Sequence, residues 1–127
     1  MTAITLVFVG AGIGGVLRHG VNIAALRAFG PGFPWATLGV NVAGSFVMGI
    51  LAGWLALKAP GDLAHPLRLF VGVGVLGGFT TFSAFSLDLV ILWQRGETWF
   101  AITYMGGSVT LSIAGLIAGL ALVRAVS

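Results

Sequence analysis

Of 127 residues, 58% are hydrophobic and only 7% are charged, a balance that excludes a water-soluble globule and marks an integral membrane protein. The absence of cysteine excludes disulfides, thiolate chemistry and cysteine-ligated metal centres. A net charge of +3 arises from six scattered basic residues with no basic cluster, which argues against nucleic acid as a partner.

The first apolar stretch runs from Thr2 to Leu26 and is interrupted by Arg18-His19. It lacks the basic leader of a cleaved signal, so we expect it to be retained. Its Gly10-x-Gly12-x-x-Gly15 imitates a dinucleotide-binding fingerprint, but that motif needs a strand, a helix and an acid about 20 residues on. Here the first acid is Asp62. The glycines are better read as surfaces for close helix approach in lipid, as are Gly49-x-x-x-Gly53 and Gly115-x-x-x-Gly119. Arg18 and Asn22 lie one turn apart on the face of Gly10 and Gly14. Two readings stand for Arg18: positive potential at an anion entrance, or a side chain snorkelling to the interface. His19 reads as interfacial.

The second stretch, Phe33 to Leu57, carries no charge. Its Asn41 must find partners for two N–H donors inside the membrane, with Ser45 one turn later. Helix-to-helix bonding would satisfy it without further meaning.

The third stretch, Leu69 to Trp93, is interrupted only by Asp88, and its centre reads Gly77-Gly78-Phe79-Thr80-Thr81-Phe82-Ser83-Ala84-Phe85-Ser86. A glycine pair followed by two threonines predicts a broken helix with freed carbonyls at bilayer depth. Such carbonyls persist only where they line a cavity, bind an ion or meet protein donors. Phe82 and Phe85 stand beside the break. Aromatic rings are positive at the edge, so a small anion passing edge-on is attracted without being trapped.

The fourth stretch, Thr98 to Val123, is uncharged and aligns Tyr104, Ser108 and Ser112 along one face. Each stretch exceeds the roughly 18–20 residues a span needs. We therefore expect an all-α membrane protein: one four-helix domain over 1–127, with spans near 3–28, 33–57, 67–94 and 98–124 and the third broken near mid-membrane. Arg27 and Arg95 flank one side, and Lys58, Arg68 and Arg124 the other. That near-balance gives little orientation preference, so two opposite copies could pair as an antiparallel homodimer.

Three segments carry a resemblance to a known family. Gly77 to Ser86 resembles the GG-x-TTFS-x-FS signature of the Fluc (CrcB) fluoride channels. Thr37-Leu38-Gly39-Val40-Asn41-Val42-Ala43-Gly44-Ser45-Phe46 is similar to their TL-x-VN-x-x-G segment, and Gly14-Gly15-Val16-Leu17-Arg18 to their first-helix pattern. The resemblance implies an antiparallel dual-topology homodimer with two pores that pass fluoride, in the inner membrane of a prokaryote. It implies that Phe82 and Phe85 coordinate fluoride through ring edges, that Asn41 donates to it, and that Tyr104, Ser108 and Ser112 form a polar track. It places Arg18 near a vestibule, and a structural Na⁺ at the dimer centre on the main-chain carbonyls of Gly77 and Thr80. Ala36 stands where that family often has Gly, and Asp88 where a longer Glu is common, which puts in doubt contacts that need the extra methylene.

The chief competitor is a four-helix proton-coupled exporter of lipophilic cations, which needs an acid embedded in the membrane. Only Asp88 comes close, since Asp62 and Glu97 read as loop residues and the first two spans have none. A purely structural membrane protein would use the same polar stripe as helix glue. No nucleophile–base pair or metal cluster suggests an enzyme.

Overall fold

In the computed structural model, which describes residues 2–58 and 61–127, every regular element is helical. Helix α1 (Ala3–Phe29) starts on Thr2, whose Oγ1 accepts the Thr5 N–H at 3.2 Å. It ends at Gly30, where φ is +76°. Helix α2 (Trp35–Leu57) begins directly after Pro34, two residues later than the hydropathy suggests. The residue before a proline resists the helical region, so Phe33 stays outside.

The third pass is compound. Helix α3 comprises Gly61–Leu67, a π-helical stretch Arg68–Leu76 and a last turn Gly77–Phe79. Within it the Gly77 N–H reaches back five residues to the Gly72 carbonyl as well as to Gly74. After an extended Thr80-Thr81, helix α4 (Phe82–Gln94) completes the pass. The helix of the third pass thus begins at Gly61, before the span expected from 67. Pro66 lies inside the helix, where so near the start it removes a single backbone bond. Asp62, expected in a loop, therefore falls in the first turn of α3. Helix α5 (Thr98–Ala125) forms the fourth pass. All four passes are long and apolar enough to cross a membrane.

Glycines set the packing. A Cβ on Gly10 or Gly14 of α1 would collide with the main chain of Phe70 or Val75, and one on Gly78 with Ala11. The α1 and α3 backbones therefore touch directly along the π-helical stretch. Helices α2 and α5 meet in the same manner, Gly49 against Leu116 and Gly119 against Phe46. In lipid, where no hydrophobic force drives helices together, such close van der Waals approach is the main attraction. The bulky core is small: Phe85, Leu92, Ala101 and Tyr104, joined by Phe33, Leu38 and Leu89. Most other large apolar side chains, such as Ile4, Phe8 and Trp99, face outward, as a bilayer solvent allows.

Candidate ion-conduction site

The helix break is held by side chains from two other passes. Asn41 of α2 clamps the Thr81 peptide from both ends. Its Oδ1 accepts the Thr81 N–H at 2.8 Å, and its Nδ2 donates to the Thr81 carbonyl at 3.0 Å. In an unbroken helix that N–H would bond to the carbonyl of Gly77, four residues back. One turn on, the Ala84 N–H goes to Thr81 Oγ1 at 3.1 Å, as an N-cap bond, and so is diverted from the Thr80 carbonyl. Arg18 Nε donates to the Gly78 carbonyl at 3.2 Å, and Thr80 Oγ1 returns to Leu76 at 2.9 Å. Among the described residues, the carbonyls of Gly77 and Thr80 thus lose the donors that helical geometry would supply. These two oxygens, hard and uncharged, suit a monovalent cation. No cluster of acidic or histidine ligands occurs among the described residues.

Beside the break lies a cavity of about 330 Å³, lined by Asn41, Ser45, Thr80, Thr81, Phe82, Phe85, Ser108 and Ser112 with several apolar neighbours. The rings of Phe82 and Phe85 sit 5.5 Å apart, tilted by 44°. Phe85 is 7% exposed and belongs to the core, whereas Phe82 is 79% exposed in the single chain. Ser108 is buried, and its Oγ has no hydrogen-bond partner among the described residues. That hydroxyl, on a residue lining a cavity whose wall is mostly apolar, has a proton to give. Ser86, by contrast, bonds its own helix at Phe82, 3.0 Å away, and is spoken for.

One helical turn further along, the second, third and fourth passes form a second polar layer. Thr37 precedes Asn41 by a turn, Asp88 follows Phe85, and Tyr104 precedes Ser108. Thr37 Oγ1 donates to Asp88 Oδ2 at 2.7 Å, and Tyr104 Oη donates to the same oxygen at 3.2 Å, a longer and weaker contact. The short Asp88 side chain therefore reaches both neighbours without an extra methylene. Beyond this layer lies a second cavity of about 310 Å³, whose wall includes Asn22, Thr37, Asp88 and Arg95.

The structure thus gathers Asn41, Phe82, Phe85, Ser108 and Ser112 around one cavity. Tyr104 lies outside that wall, fully buried, its hydroxyl committed to Asp88. Arg18 ends half-buried at the break instead of snorkelling to an interface, and His19 is exposed. Reading by sequence alone missed Thr37 as an interhelical partner. The available signal was an acid inside a span, which demands donors, with a hydroxyl one turn from Asn41.

Comparison with known proteins agrees with this arrangement. Residues 5–120 match the family described as CrcB-like protein, Camphor Resistance (CrcB). The chain is 58% identical to the fluoride-specific ion channel FluC 2 of Nitrobacter hamburgensis, over 94% of each chain. It is 51% identical to the fluoride-specific ion channel FluC of Rhodopseudomonas palustris, over 96% of this chain and 97% of that one. With the FluC of Novosphingobium aromaticivorans it shares 50% identity over the full length of both. Four membrane passes, the broken third one and these matches lead to one conclusion: the chain is a member of the CrcB family.

Proposed function

We propose that this protein is a fluoride-selective channel, giving passive and electrogenic fluoride export that protects the cell. The observation that carries the reading is the Ser108 hydroxyl, buried without a partner among the described residues, on a cavity shared with Asn41, Ser112, Phe82 and Phe85. Fluoride is small and strongly hydrated, so a pore must replace its water with donors. Ser108 and Ser112 offer O–H groups, and Asn41 keeps a second N–H beyond the one given to Thr81. The edges of Phe82 and Phe85 add weak positive contacts that do not hold the ion too tightly to leave. Tyr104 serves the track by fixing Asp88, which keeps the carboxylate's Oδ2 occupied by hydroxyl donors. Arg18, at the break, adds positive potential toward a vestibule.

The functional unit in this reading is an antiparallel homodimer in the inner membrane. Phe82, Ser83 and Gly77 are exposed in the single chain at mid-span, where lipid cannot satisfy a free carbonyl. A second copy covers them. The Gly77 and Thr80 carbonyls of both copies then hold one structural Na⁺ at the centre, which supplies charge neutralisation for the paired helix breaks. An exporter of lipophilic cations is disfavoured, because no carboxylate is among the residues lining the cavity at the break.

The test is fluoride efflux from liposomes holding the purified protein, read with a fluoride electrode and with chloride as control. Fast efflux that requires a K⁺ ionophore is expected. Folded protein that releases no fluoride would refute the reading.

A further inference from the structure

Helix breaks in a membrane tend to repair themselves, because every freed carbonyl is costly in hydrocarbon and every nearby N–H would lower that cost. Here the two N–H groups that could repair this break are both captured. Thr81 N–H is bound by Asn41 Oδ1 at 2.8 Å, and Ala84 N–H by Thr81 Oγ1 at 3.1 Å. We propose that Asn41 and Thr81 are positioning residues that keep the carbonyls of Gly77 and Thr80 open for the cation, and that Asn41 thereby couples cation binding to the anion cavity. The inference rests on the cation site proposed above.

The coupling follows from the two ends of one amide. The Asn41 oxygen and one of its N–H groups fix the Thr81 peptide, while the side chain also forms part of the cavity wall with Phe85 and Ser108. Turning the amide toward a passing anion therefore pulls on the Thr81 peptide. That motion would return the Thr81 N–H toward the Gly77 carbonyl and weaken the cation's ligand set. A bound cation opposes the motion and keeps the amide in place.

The experiment titrates the thermal unfolding midpoint of the purified, detergent-solubilised protein with NaCl against N-methyl-D-glucamine chloride at constant ionic strength, beside fluoride efflux. The parent protein should show a saturable Na⁺-specific shift. Asn41→Ala and Thr81→Ala should each raise the Na⁺ concentration at half-effect by about tenfold, since a freed N–H competes for one oxygen with the worth of one net hydrogen bond. Thr81→Ser keeps the capping oxygen and should restore the parent's value. Asn41→Asp keeps the acceptor for Thr81 N–H but loses the donors, so its Na⁺ response should persist while fluoride efflux falls. Unchanged Na⁺ dependence in both alanine variants overturns the donor-capture idea, whatever happens to flux. If Asn41→Ala does not fold, the Thr81→Ala and Thr81→Ser pair decides alone. A parent protein that conducts fluoride with no Na⁺-specific shift overturns the cation site and this inference, and leaves the channel reading standing.

Discussion

Replacing Gly14 by alanine sets two opposing effects against each other. Alanine is favoured over glycine inside a helix by about 1 kcal/mol. At Gly14, however, the new Cβ would collide with the Val75 carbonyl oxygen and lie 2.8 Å from the Phe79 nitrogen. Ordinary contact begins near 3.4 Å, so α1 must retreat from α3 by more than half an ångström. The obstructing atoms are main chain in an adjoining helix and cannot rotate away. Overpacking of this sort costs about 1–3 kcal/mol, so the clash outweighs the propensity gain. Gly39, by contrast, has open space around its Cβ position. Gly39→Ala should therefore raise the unfolding midpoint while Gly14→Ala lowers it by several degrees, read through the fluorescence of the four tryptophans. Fluoride efflux should fall with Gly14→Ala as well, because Phe79 immediately precedes the break. A Gly14→Ala protein that melts at or above the parent would refute the account of backbone-to-backbone packing.

Ser108→Ala should separate stability from function. It removes a buried hydroxyl without a partner, so the unfolding midpoint should hold or rise by the equivalent of about 1 kcal/mol, while fluoride efflux drops. Phe82→Ile and Phe85→Ile should each abolish efflux without dissociating the protein, but only Phe85→Ile, in the core, should lower the unfolding midpoint of the isolated chain. Both variants conducting normally would remove the ring edges from the mechanism. Thr37→Val keeps the volume and deletes the 2.7 Å bond to Asp88, so thermal unfolding should show a loss of about 1.5–3 kcal/mol.

The four passes were legible because a lipid environment demands long uncharged runs, and the break was legible because Gly77-Gly78 with Thr80-Thr81 has no reason to sit in an unbroken span. The cavity residues followed from helical spacing, which aligns Ser108 with Ser112 and sets Phe82 beside Phe85. The π-helical stretch was not legible. It lies against the α1 backbone at Gly74 and Val75, a contact between segments some 60 positions apart in the chain that no local pattern encodes. The helix of the third pass begins at Gly61, ahead of the expected span, because it continues through Pro66, which no apolar run announces. Asn41 was recognised as a donor, but its grip on Thr81 depends on where α2 crosses the break, which no local pattern encodes.

The pairing of passes also bears on how the chain is made. Helix α1 meets chiefly α3, and α2 meets chiefly α5. The main partners are thus interleaved, so neither of the first two passes emerges from synthesis next to the one it must grip. The first waits for the third, and the second stays unclasped until the last has entered the bilayer. Until the third pass has entered, neither main helix pair exists. Late, interleaved clasping means that the fold closes only when the fourth pass is in place.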